Sequence, residues 1–214
     1  MNKKIKLQLP KIDRDIEEVT YISRDKIEEE KLENLYIINT ELEDIYDLSM
    51  KIDSCIFKNV YFDNSSLDKS DITDVIFENC DLSNINFSSS GLYRVQFKNC
   101  KLIGTKFEDC ILKSVIFTEC IAKYSNFSFS KIKGVKIENS DFSNTIFQEV
   151  INDTLILDES DFKQAIFRGT KLKDIDFTKC QVEGIEIKIE DVRGGIFTYE
   201  QAIELSRLME IIIK

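Results

Sequence analysis

The sequence predicts a solenoid, a rod wound from one short repeat, and three observations carry that reading. All six cysteines (Cys55, Cys80, Cys100, Cys110, Cys120 and Cys180) occupy one phase of a five-residue repeat. Two residues later comes a large apolar position: of the 34 sites from Leu32 to Phe197 in steps of five, 32 are apolar, Asp47 and Asn152 being the exceptions. Fourteen of the fifteen Phe fall in that second phase, and only Phe129 lies outside it. A period of five matches neither the ~3.6 of a helix nor the ~2 of a strand, and a sustained short period marks a repeat architecture.

Within each pentad the two inward positions alternate with three outward ones. The small inward position, followed from Leu35 to Ile185, spans 31 sites and holds no charged residue. The last outward position is rich in turn formers, among them Asn59, Asn79, Asn84, Asn99, Gly104, Gly134, Asn144, Gly169 and Gly184. Such residues tolerate unusual backbone angles or bond their own backbone, so each pentad is a short inward-facing segment closed by a corner. Segments such as Cys80-Asp81-Leu82-Ser83-Asn84, Ser140-Asp141-Phe142-Ser143-Asn144 and Ser160-Asp161-Phe162-Lys163-Gln164 resemble the pentapeptide-repeat family. The resemblance covers roughly residues 31–198, and Ile56, Lys101 and Ile116 depart from the family's Asp or Asn before the large residue. It implies an all-β solenoid: a right-handed quadrilateral β-helix, four pentads to the coil and about eight coils, followed here by a short C-terminal α-helix.

Twenty residues per coil makes the core checkable, because residues twenty apart stack at the interstrand spacing of ~4.8 Å. The expected core ladder contains Phe57, Phe77, Phe97 and Phe117 in one column and Phe87, Phe107, Phe127, Phe147 and Phe167 in another. A third column holds Cys80, Cys100 and Cys120 with Ser140, Ser160 and Cys180. Stacked cysteines point in parallel and share their phase with Ser and Val, so they read as small buried thiols in the reducing cytoplasm rather than disulfides. Asn152 reads as a local bulge in its coil.

Charged residues at the small inward phase (Asp25 and Glu30 before the body, Glu190 and Glu200 after it) mark the ends. Residues 1–30 are expected to form an N-terminal cap, with Ile5, Leu7 and Leu9 as a short strand broken by Pro10 and a helical turn around Ile16 and Val19. Lys3, Lys4 and Lys6 precede no long apolar run, so neither a signal peptide nor a membrane span is expected. With no His, a triad or a His-bearing zinc site is impossible, and a cysteine row cannot converge on a metal. No cofactor and no catalytic residue are expected, and the chain reads as a non-enzyme.

Residues 199–214 leave the rhythm. Leu205, Leu208, Met209 and Ile212 fall at helical spacing, with Ala202 on the same stripe and Ile211-Ile212-Ile213 beyond. A homodimer seam through Ala202, Leu205, Leu208, Met209, Ile211 and Ile213 is expected, because one short helix cannot cover its stripe and the open coil together. Asp191, Arg193, Gly194, Gln201, Ala202, Leu205, Leu208, Ile211 and Ile213 resemble the C-terminus of the quinolone-resistance pentapeptide proteins. That resemblance implies a protein partner such as DNA gyrase or topoisomerase IV, both type II topoisomerases, engaged by DNA mimicry without direct nucleic-acid binding. Those proteins often carry projecting loops, whereas this rhythm runs from Ile52 to Phe197 without insertion.

The formal charge of −10 tests the mimicry. Residues 51–214 carry 26 acidic and 21 basic residues, net −5. Spread over a rod of about 40 Å, that is about one charge per 8 Å, against one per ~1.7 Å for duplex DNA. Arg94, Lys113, Lys131, Lys133, Lys171 and Lys173 even make one side locally basic. A scaffold for an unrelated protein partner, using that basic column or the acidic cap, is the alternative reading.

Overall fold

The computed structural model describes residues 7–12, 15–46 and 48–210. Its body is one parallel sheet wound into a solenoid. The elements in chain order are β1 (Glu17–Val19), α1 (Arg24–Glu28), β2 (Lys31–Glu33), β3 (Leu35–Glu43), β4 (Lys51–Asp63), β5 (Asp71–Glu78), β6 (Gly91–Lys98), β7 (Ile111–Thr118), β8 (Lys131–Glu138), β9 (Ile151–Asp158) and α2 (Tyr199–Ser206). Strands β3 to β9 stand side by side in sequence order, one per turn, and account for about seven turns. The register is twenty residues: Phe57 faces Phe77, which faces Phe97, which faces Phe117. Beyond β9 the same register continues through single bridges, Asp161 to Gln181 and Asp176 to Ile196.

Strands cover two sides of each turn, and the other two sides are tight turns. In these the amide of the next small inward residue bonds the carbonyl of the large one, as from Ile85 to Leu82 (3.2 Å) and Thr105 to Leu102 (3.2 Å). The corner residue of such a turn has positive φ: Asn84 at 62°, Gly104 at 67°, Asn144 at 59°. That is the third position of a type II turn, where only Gly and Asn are comfortable. The same left-handed corner recurs inside the strands, at Asp74, Arg94 and Ser114. Turn formers in the last outward position are thus the bends themselves.

The two phenylalanine columns are present as expected. Ring centroids are 4.9–5.0 Å apart from Phe57 through Phe117, with interplanar angles of 13° or less. Phe87 through Phe167 stack at 4.7–5.1 Å. The columns meet edge to face, as at Phe97–Phe107 (6.1 Å, 80°), a favourable quadrupole arrangement.

The small inward position does more than fit. Its side chain donates to the carbonyl of the large residue 23 positions earlier: Ser90 Oγ to Leu67 (2.8 Å), Thr105 Oγ1 to Leu82 (2.8 Å), Cys110 Sγ to Phe87 (2.9 Å). Its hydroxyl also accepts the amide twenty residues back, from Ser70 N to Ser90 Oγ (2.9 Å) and from Cys110 N to Ser130 Oγ (2.9 Å). Buried backbone groups must be paired, and these side chains stitch successive turns. All six cysteines are buried and free. Burial pushes the Cys55 thiol up to about 11 and those of Cys110 and Cys120 up to about 12, so the reactive thiolate is disfavoured. Six thiols should therefore be titrated by Ellman's reagent only after unfolding, and rapid native labelling of Cys100 would place the ladder outside the core.

The N-terminal region differs from expectation. Leu7 and Leu9 form no strand, and Ile5 lies outside the described residues. Around Ile16 and Val19 the chain is a strand rather than a helical turn, pairing in parallel with β3 so that Val19 faces Ile37 at the end of the Phe57 column. The exposed edge of β3 sets this choice, since an unpaired edge needs a strand, not a helix. The helix comes later, at α1, where Ser23 caps the Lys26 amide and Ile27 is buried. Asn152 does sit at a bulge: it faces Ile132, the β8–β9 register slips between Ile132 and Lys133 and again between Lys133 and Val135, and the buried Asn152 Oδ1 lacks a partner. Asp47 lies outside the described residues.

Candidate interaction surfaces

The sides can be built up from the twenty-residue columns. The first carries residues 31–34 and their counterparts at twenty-residue intervals, the third carries 41–44 and theirs, and in a four-sided coil these lie opposite. On the third side, from Glu41 to Gly184, eight acidic residues face three basic ones; on the first, from Lys31 to Asp174, eight basic face six acidic. Charge is thus segregated across the rod.

Three of the six residues of the basic column are paired along the axis. Arg94 binds Asp74 through two nitrogens, Lys171 reaches Asp191 at 2.6 Å and Lys133 reaches Asp153 at 3.8 Å. These partners stand one coil away in the same column, a signal present in the twenty-residue spacing but invisible to a count of lysines. Lys113 instead lies over the Tyr93 ring at 4.5 Å.

Asp74 also ties down the N-terminus. Its Oδ1 accepts the Lys11 amide at 2.8 Å, and Gln8 Oε1 accepts the Tyr93 hydroxyl at 2.9 Å. Residues 8–11 are therefore strapped along the flank of the body, away from the end that a cap would cover. Burial opposes the Asp74 charge, but the Arg94 guanidinium and the Lys11 amide hold its carboxyl below the usual range.

The acidic side concentrates in its first three turns. Glu41, Glu43, Asp44 and Asp63 are exposed, and Asp81 follows one turn later. Glu43 and Asp63 are direct cross-strand neighbours, as are Glu41 and Tyr61. Partial burial and the charges of Glu43 and Asp63 raise the Glu41 carboxyl, and Asp63 above all raises the Tyr61 phenol. Tyr46, Tyr61, Asp63, Asn64, Asp81 and Ser83 border a shallow hollow of about 480 Å³ on this side. Of the five carboxylates only Asp81 has a cation in ion-pair reach among the described residues, Lys101 at 3.4 Å.

At the C-terminal end, Thr198 and Gln201 form a reciprocal cap on α2. The Gln201 amide also donates to the carbonyls of Phe177 (2.9 Å) and Cys180 (2.8 Å), closing the last turn. Phe197 stacks on Phe177 at 5.2 Å. Leu205 is buried in its own chain and Leu208 rests half-buried against the core, while Ala202, Ile203 and Met209 are exposed. Ile211 and Ile213, expected at a dimer seam, lie outside the described residues. Among the described residues no group of Cys, Asp and Glu is arranged to hold a metal ion, and no helix is long and apolar enough to cross a membrane.

Residues 70–147 match the model of the pentapeptide repeat region. That stretch is a pentapeptide-repeat region. Among solved structures, several pentapeptide-repeat proteins are similar to this chain. A trypsin-treated form of QnrB1, a plasmid-mediated fluoroquinolone resistance protein, is 15% identical, with 86% of this chain and 100% of that chain covered at a TM-score of 0.46. HetL, a pentapeptide repeat protein involved in heterocyst differentiation regulation in the cyanobacterium Nostoc sp. strain PCC 7120, is 12% identical over 73% of this chain and 84% of its own, at 0.40. A pentapeptide repeat protein of the Arabidopsis thaliana thylakoid lumen is 22% identical over 47% of this chain and 63% of its own, at 0.33. No curated protein matches the sequence.

Proposed function

We propose that this pentapeptide-repeat solenoid is a non-catalytic binding protein whose acidic third side engages the DNA-binding surface of a type II topoisomerase, DNA gyrase or topoisomerase IV, as a partial DNA mimic. The observation that carries the reading is the density of the Glu41, Glu43, Asp44, Asp63 and Asp81 group. Five carboxylates over three rungs of ~4.8 Å give about one charge per 3 Å, within a factor of two of the ~1.7 Å of duplex DNA. The whole-rod average hides this concentration because most of the cations sit on the other sides. A surface built for phosphate reads such a row as backbone, and long-range attraction speeds the encounter.

A supercoiling assay with purified gyrase tests it. Added protein should inhibit supercoiling or protect against a quinolone, and reversing charge at Glu41, Glu43 and Asp63 to Lys should abolish the effect without unfolding the protein. No effect of the wild type at micromolar concentration would leave a scaffold for another partner as the function.

The assembly that suits this reading is a homodimer joined tail to tail through Ala202, Leu208, Met209, Ile211 and Ile213, which would double the rod; Leu205, expected in that seam, is instead spent on its own chain's core. Ala202, Ile203 and Met209 supply an exposed apolar face beside the capped end, and a twofold contact is the commonest oligomer symmetry. Light scattering should give twice the chain mass of 24.9 kDa, and Met209→Glu with Ile203→Glu should halve it. A monomeric wild type at tens of micromolar would reduce α2 to a cap.

A further inference from the structure

The first side carries features that neither the fold nor the acidic surface explains. Ile111, Lys131 and Ile151 are register neighbours on three successive turns, and Lys113 stands directly opposite Lys133. Like charges facing across a ladder are destabilising. Of Lys113, Lys131 and Lys133, only Lys133 has a carboxylate in ion-pair reach among the described residues, Asp153 at 3.8 Å. Ile111 and Ile151 are 55% and 62% exposed.

At the corner leading into Lys131 stands Phe129, with φ of 63° and 49% exposed. A bulky residue gains nothing from the left-handed region and is strained there. Tyr124 on the same turn is the only other aromatic residue among the described positive-φ residues. Next to Ile151 the β8–β9 ladder is interrupted by its bulge, a device that often re-aims side chains beside a binding site. Facing cations and exposed apolar groups therefore converge on one short stretch.

We propose that this stretch docks a segment of a partner protein in which carboxylates alternate with apolar side chains. The carboxylates would meet Lys113 and Lys131, and the apolar groups would rest on Ile111, Phe129 and Ile151. Charge complementarity selects this occupant: on a chain of net charge −10, three clustered lysines with a single carboxylate in reach are the exception. Asp109 and Glu149 flank Phe129 on its corner column, one turn to either side. They repel a broad anionic surface such as a bilayer but leave a path along the lysines for a narrow chain. This site is independent of the acidic third side and stands whether or not a topoisomerase binds there.

Fluorescence anisotropy with the full-length protein provides the test. The probe is a labelled peptide of about eight residues alternating Glu and Leu, enough to span three rungs of ~4.8 Å. It should bind, weaken with added salt as exposed ion pairs are screened, and outcompete a peptide alternating Lys and Leu. Phe129→Asn suits the left-handed corner, so its melting temperature should hold or rise while affinity falls about tenfold, the loss of one anchor. Lys131→Glu should lose a similar factor. Absence of binding, equal binding of the Lys peptide, or undiminished affinity in both variants would overturn the proposal. So would sedimentation with phosphatidylserine vesicles in place of peptide binding, which would make the patch a membrane contact.

Discussion

Replacing Phe107 by alanine is expected to lower the unfolding free energy by about 3–5 kcal/mol, the range for truncating a fully buried aromatic. Phe107 is completely buried, stacked on Phe87 at 5.1 Å and Phe127 at 4.7 Å, with Phe97 and Phe117 edge-on at 6.1 and 6.0 Å. Neighbours locked in two columns cannot collapse into the gap without breaking their own stacks, so the cost should fall in the upper part of that range. Because solenoid stability is a sum of nearest-neighbour terms, the gap should also divide the stack. Urea denaturation followed by circular dichroism is the measurement, with a broadened or two-step transition as the added signature. A loss under about 1 kcal/mol is what surface sites give, and it would remove Phe107 from the core.

The second large effect is expected at Arg94. Its side chain is 12% exposed and that of Asp74 8%, so Arg94→Ala leaves a nearly buried carboxylate without its counter-ion. Removing one member of such a pair typically costs about 3–5 kcal/mol, and the residual access of water places the expectation near the lower figure. The pH dependence follows from sign. In the wild type the Asp74 carboxyl is depressed, so its stabilisation is present above the ordinary carboxylate range and is lost as pH falls through the lower folded value. In the variant only burial and the Lys11 amide remain; burial should now raise the carboxyl, and the deficit should shrink on acidification. A deficit that stays constant from neutral pH down to about pH 4, near the unperturbed carboxylate value, would show that the pair is not coupled to folding. Loosening of the Gln8–Lys11 strap, read by limited proteolysis, should accompany the loss.

Most of the fold was legible because the solenoid repeats its constraints. Phe107 must be apolar for the same reason as Phe87 and Phe127, so one reading is checked many times over. The N-terminus lacked that redundancy. Ile16 and Val19 fit a helical turn as well as a strand, and only the waiting edge of β3 decides between them. The bonding role of the small position was hidden because Cys, Ser, Thr and Val alternate there, and size alone accounts for that set. For the surfaces, the sequence offered charges but not their pairing. Arg94 and Asp74 look like two isolated ions until the coil sets them in one column. The five carboxylates from Glu41 to Asp81 looked diluted until the coil set them on one side. Phe129 was visible as the phenylalanine out of phase, but its exposure and left-handed corner emerge only from the folded coil.

The side-chain stitches between turns set a rule for how such a chain can change length. Ser90 bonds the Ser70 amide twenty residues behind it and the Leu67 carbonyl 23 behind it, so each turn is read against the previous one like teeth on a rack. Deleting one residue in the middle would send the later core phenylalanines toward water and most later lysines inward. Gaining or losing whole turns would leave both counts intact. A gene for this rod can therefore lengthen or shorten smoothly only in steps of twenty codons. Growth by duplication would thus carry whole turns, together with any binding residues they display.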